Sequence, residues 1–198
     1  MLPLPAWAAW PDKTLKIIVP FPPGGTSDVI ARLIAKPLQD TLGQNVIVEN
    51  KTGANGAIGA AAVAQATDGH SMLLSDMSSL AINAVMAKDL PYKPEQLVGA
   101  TLLAYSPHLL ATSPQFPAST VQDLVAQSLK KPLAIASSGI GSANHLGAVE
   151  IALATGMKFV HVPFRGGAQS IADVAAGNTQ LVLNGMLATL PLVQSGRL

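Results

Sequence analysis

Apolar and polar positions fall into short blocks along this chain, and the spacing within each block separates strands from helices. The run Leu15-Lys16-Ile17-Ile18-Val19 is short and β-branched, whereas Val29, Ile30, Leu33, Ile34 and Leu38 recur at helical spacing. The first unit is therefore a strand followed by a helix. Asn45 to Glu49 predicts a second strand, and Gly53-Ala54-Asn55-Gly56-Ala57-Ile58-Gly59 opens an alanine-rich helix that reaches Thr67. Ser71 to Ser75 predicts a third strand, whose polar tip Asp76-Met77-Ser78-Ser79 precedes a short helix from Leu80 to Met86. A long apolar run from Leu97 to Thr112, passing through Ser106-Pro107, then carries the chain away from the first sheet.

A second series follows. Thr120 to Lys130 is amphipathic, Leu133 to Ala136 is a strand, and Ala143 to Ala154 is a helix. Phe159 to Pro163, Ile171 to Ala176 and Leu181 to Leu183 continue the alternation as strand, helix and strand, with a last helix toward Leu198. Alternating strands and helices predict parallel α/β sheets, and two such series joined by one crossover predict two domains, residues 10–102 and 103–198. Ligands of open α/β sheets bind beyond the carboxyl ends of the strands. The loops that follow the strands, PFPPGGTSD (Pro20 to Asp28), SDMSS (Ser75 to Ser79), SSGIGS (Ser137 to Ser142), FRGG (Phe164 to Gly167) and Asn184-Gly185, can therefore gather at one cleft. In the first of them prolines stiffen the backbone and glycines bend it. Thr26 or Ser27 can cap the helix, Asp28 suits its positive end, and free N–H groups at such a start can hold an anion.

Charge narrows the partners. Twelve basic and eleven acidic residues give a formal +1, scattered without a basic stripe, and aromatic residues are 4% of the chain, so nucleic acid is not an expected partner. The absence of cysteine excludes disulfides and thiolate metal sites. Residues 1–9 resemble the end of a secretory signal peptide, with small residues at Ala6 and Ala8, and predict export to the periplasm. No window reaches the length of an apolar membrane span.

Several ordered segments carry a resemblance: WPDK (Trp10 to Lys13), IVPFPPGGTSD (Ile18 to Asp28), GANGAIGA (Gly53 to Ala60), DGHSMLL (Asp68 to Leu74), ASSGIGSANHL (Ala136 to Leu146) and VPFRGGAQSIADVAAG (Val162 to Gly177). Together they resemble the periplasmic solute-binding proteins of the tripartite tricarboxylate transporter system, the Bug or TctC-like family. The resemblance implies a two-domain α/β fold of the Venus-flytrap kind with parallel-rich sheets. It also implies capture of a small organic acid between the domains, often through bridging waters, and delivery to membrane permease subunits, without catalysis, cofactor or metal. The alternative reading is a ligand-sensing partner of a membrane signalling protein. Carried onto matching positions, Phe21, Pro23, Gly24, Gly25 and Thr26 form the first-domain cradle, and Ser138, Gly139, Gly141, Ser142, His145, Arg165 and Gly166 the second-domain contacts. Ser78 in the tip after the third strand joins the candidates.

Departures from the family pattern point to specificity. Asp76 stands where small neutral residues are common, and Asn184 where an acid is frequent. Asp76 either selects a ligand bearing an amine or caps the next helix. Family members also usually continue further, and the extra segment returns to complete the first domain; the resemblance thus predicts an incomplete first domain with a tendency to self-associate.

Rival chemistry is weak. Gly139-Ile140-Gly141-Ser142-Ala143-Asn144 starts like a dinucleotide fingerprint but has Asn144 at the third glycine. Ser137 or Ser138 near His145 lacks an orienting acid, and the histidines show no metal spacing.

Overall fold

The computed structural model describes residues 10–198, so the expected signal-peptide end lies outside the described residues. The first sheet is built from β1 (Leu15–Val19), β2 (Val46–Asn50) and β3 (Ser71–Leu73) in the order β2-β1-β3, all parallel. Its helices are α1 (Thr26–Leu42) and α2 (Ala57–Ala64), and a π-helical turn at Ser78–Ile82 runs into α3 (Asn83–Met86). Leu15, Ile17 and Val19 of β1 are buried on the face that α1 covers, and Ile18 is buried on the opposite face, as the central strand of a parallel sheet requires. Of the apolar positions predicted for α1, Ile30, Ile34 and Leu38 pack on this core, whereas Leu33 is exposed.

The second sheet contains β4 (His108–Thr112), β5 (Leu133–Ser137), β6 (Phe159–Pro163) and β7 (Leu181–Gly185) in the order β4-β7-β5-β6. Its helices are α4 (Val121–Lys130), α5 (Ala143–Thr155), α6 (Gly167–Ala175) and α7 (Met186–Gln194). Ile135, Leu181 and Val182 are buried at its centre. Thr120 and Asp123 form a capping box that starts α4, and Ser142 caps α5.

Several expectations change. The alanine-rich helix ends at Ala64 rather than Thr67, and the third strand at Leu73 rather than Ser75. Of the long apolar run, only His108–Thr112 is strand, and it pairs antiparallel with β7. A strand that enters from an extended crossover has no helix to reverse it, so it need not run parallel to its neighbour. Asn184-Gly185, expected after the last strand, instead completes β7, because both pair with β4 through Leu109 and His108.

Candidate functional site

The loop after β1 is braced from below by Asp28. This buried carboxylate accepts from the Gly24 N–H at 2.9 Å, Arg32 Nε and Nη2 at 3.0 Å each, and Asn50 Nδ2 at 2.9 Å. Burial alone would raise its pKa, but these donors and the Arg32 charge hold the carboxyl below its ordinary value of 3.8. The Gly24 N–H is thus engaged, and Asp28 shapes the cradle from behind. The remaining donors are the N–H groups at the start of α1, which have no partner within a helix. Phe21 is half-buried with its carbonyl accepting from Asn50 Nδ2 at 2.9 Å, and Pro23 is exposed.

Opposite this loop lies the start of α6. A Cβ placed on Gly166 would stand 2.7 Å from Pro22 Cδ, and one on Gly24 3.6 Å from Ala168 Cβ. The N-termini of α1 and α6 therefore face each other across the two sheets, each opening on a glycine with no side-chain cap. Both present the positive end of a helix dipole to the same place. The end of β7 closes this junction. The Asn184 side chain lies over Gly167, whose Cβ would come within 2.7 Å of Oδ1, and a side chain on Gly185 would collide with Thr26 Oγ1 and approach Ser106 Oγ at 3.4 Å. Thr26 Oγ1, Ser106 Oγ and Asn184 Nδ2 are all buried without a hydrogen-bond partner. Three orphaned polar atoms thus gather at one junction, and such groups are costly to leave unpaired.

The SSGIGS loop is engaged with itself. Ser142 Oγ accepts from the His145 N–H at 3.2 Å and donates to the Gly139 carbonyl at 2.8 Å, and Ser137 Oγ accepts from the Gly139 N–H at 3.1 Å. His145 Nδ1 accepts from the Gly141 N–H at 3.2 Å, which leaves the ring proton on Nε2. Its ring stacks on His161 at 3.9 Å, and His161 Nε2 lies 2.6 Å from Ser137 Oγ. Burial, with the neighbouring His145 charge, pushes the His161 pKa down. Ser137 and His161 thus pair, but His161 stacks on a second histidine rather than on a carboxylate, unlike a hydrolase triad. Ser138 is half-buried beside them.

Ser78 and Asn55 join the two sheets. Ser78 is buried, and its Oγ accepts from the Ala143 N–H at the start of α5 at 3.0 Å. Its hydroxyl therefore holds an inter-sheet contact rather than lining an open cleft. Asn55 Nδ2 donates to the Gly141 carbonyl at 3.0 Å and to Asn83 Oδ1 at 3.1 Å. Asp76 accepts from the Ser78 N–H at 2.8 Å, the expected capping contact. Its side chain reaches solvent, yet burial pushes its pKa above 3.8, opposed by Ser78 and by the charge of His108. Arg165 is exposed, with its backbone N–H on Gln169 Oε1 at 3.3 Å.

Candidates at Gly24, Gly25, Thr26, Gly166 and Asn184 are thus brought together, while Gly139, Gly141, Ser142 and His145 form the adjoining loop. Ser106 and Asn55 were missed, although Ser106 is signalled as a polar residue within an apolar run. Two surface concavities lie elsewhere, one of about 380 Å³ beside Val121, Val125 and Leu129, and one of about 330 Å³ beside Arg32 and Lys36. Both sit on outer helix faces. Among the described residues no helix is long and apolar enough to cross a membrane, and no cluster of His, Asp and Glu could hold a metal.

Residues 30–198 match the model of the tripartite tricarboxylate transporter family receptor. The chain is 37% identical over 194 residues to Protein BugT of Bordetella pertussis, covering 96% of this chain and 60% of that protein. It is 31% identical over 180 residues to the UPF0065 protein in the tcbD-tcbE intergenic region of Pseudomonas sp. strain P51, covering 89% of this chain and 53% of that one. Among solved structures, a periplasmic transporter superposes with a TM-score of 0.91 at 36% identity, over 96% of this chain and 65% of that chain. A Rhodopseudomonas palustris protein solved with adipate gives 0.88 at 31% identity, over 95% and 64% of the two chains. MatC from the same organism, solved with bound malate, gives 0.86 at 27%, over 95% and 65%. This chain therefore spans about 60% of the length of BugT.

Proposed function

The chain belongs to the tripartite tricarboxylate transporter receptor family, and from that premise we propose that it is a periplasmic solute-binding protein, not an enzyme, that captures a small organic acid between its two sheets for a membrane permease. We take residues 10–102 and 103–198 as the two lobes. The observation that carries this reading is the junction of the α1 and α6 N-termini with the orphaned Thr26 Oγ1, Ser106 Oγ and Asn184 Nδ2. Opposed helix N-termini favour an anion, and orphaned hydroxyl and amide groups can complete its hydrogen bonds. Adipate and malate on related structures support the same ligand class.

Calorimetry with adipate and malate tests this directly. Thr26→Val preserves the shape of the side chain and removes its hydroxyl, and should weaken the tighter acid at least tenfold, about 1.4 kcal/mol. Native mass spectrometry of protein purified without added ligand should also show a small acid retained. If no carboxylate binds at millimolar concentration and nothing is retained, the reading fails.

A further inference from the structure

We infer that His108 and Asn144 are positioning residues that occupy the Asn184 oxygen and leave its amide N–H groups unpaired at the junction of the two sheets, so that Asn184 donates to a ligand oxygen and offers no acceptor to a ligand ammonium. The inference rests on the carboxylate reading above and extends it to what the acid carries beside its carboxylate.

The three side chains form a chain with one direction. His108 pairs with Gly185 in the β4–β7 register, so it stands beside the end of β7. Its Nε2 lies 2.9 Å from Asn144 Oδ1, and since an amide oxygen can only accept, Nε2 is the donor. Asn144 Nδ2 in turn donates to Asn184 Oδ1 at 2.7 Å, a contact buried on both sides. The Asn184 oxygen is thereby satisfied. Its Nδ2 is left buried, without a partner, and 2.9 Å from where a Cβ on Gly167 would stand. The direction of the chain is thus set by the amide orientations of Asn144 and Asn184, and it requires a proton on His108 Nε2.

The Asn184 amide and the first N–H groups of α6 then donate at this corner, beside the hydroxyls of Thr26 and Ser106. A hydroxyl or carboxylate oxygen finds partners there, whereas an ammonium finds no acceptor on Asn184 and meets the positive end of a helix.

Malate and aspartate differ only in a hydroxyl or an ammonium at one carbon, and their affinities measured by calorimetry form the test. The protein should bind malate more tightly than aspartate. In Asn144→Asp the new carboxylate accepts from both His108 and Asn184, which turns the Asn184 amide over and offers Oδ1 to the site. The malate-to-aspartate affinity ratio should then fall at least tenfold, whereas loss of a merely structural contact would weaken both acids alike. An unchanged ratio in the folded variant overturns the inference. Nitrogen-15 NMR of the unsubstituted protein supplies a readout that needs no ligand: a proton on His108 Nε2 is required, and a bare Nε2 means that the chain runs the other way. Should neither acid bind, the carboxylate reading falls, and the NMR result still decides the relay.

Discussion

Asp28 shows how one side chain can be misread from its position alone. An acid in the first turn of a helix beside Gly24-Gly25 looks like a cap or a ligand contact, yet its oxygens are taken by Gly24, Arg32 and Asn50. It holds the loop shape on which the opposed helix ends depend. Asp28→Asn keeps the volume but removes the charge from this buried cluster, and should lower stability at neutral pH by about 2 kcal/mol. Because the folded carboxyl sits below its ordinary 3.8, its contribution is present above that value and is lost as pH falls through the lower, folded pKa. Chemical denaturation at pH 7 and at pH 3 checks both parts: the difference between the two proteins should shrink in acid.

At the scale of elements, the sequence pattern located most strands and helices, because apolar positions of α1 and α4 recur at helical spacing while β1 and β5 are short, nearly continuously buried runs. Close packing was legible only in part. Small residues in α2 predict an intimate approach to β1, but not which glycine makes it. That residue is Gly59, where a Cβ would stand 2.7 Å from Pro20 Cβ and 2.8 Å from the Lys51 carbonyl. Since these neighbours belong to a proline and to backbone, they cannot swing aside. Gly59→Ala should destabilise the protein by about 1–3 kcal/mol despite alanine's better helix propensity, as measured by urea unfolding.

For the whole molecule, the two sheets meet through few polar contacts, among them Ser78 Oγ with the Ala143 N–H and Asn55 Nδ2 with the Gly141 carbonyl. Such contacts can form and break as lobes close and open, since each is worth only about 1 kcal/mol. Combining Ser78→Ala with Asn55→Gly removes both, and glycine tolerates the positive φ of 51° at position 55. Small-angle scattering should then show a larger radius of gyration without ligand, and saturating acid should restore the smaller one. An unchanged radius would mean that apolar contact, not these bonds, holds the lobes together.

Local chemistry was enough to place most of the alternation of strands and helices and the glycine- and proline-rich loops at strand ends, because each depends on residues close in the chain. The resemblance was carried by loop motifs for the same reason. Partners distant in sequence were settled by three-dimensional packing: Asn184 against Gly167 and Asn144, Thr26 against Gly185, and Ser78 at the start of α5. It also engaged the N–H groups of Gly24 and Gly141, which looked free for a ligand when read along the chain. The direction of β4 followed from where the crossover delivers the chain, which no local pattern encodes. A hydrogen bond has one donor and one acceptor, so which groups remain open to a ligand is known only after every nearby partner has been placed.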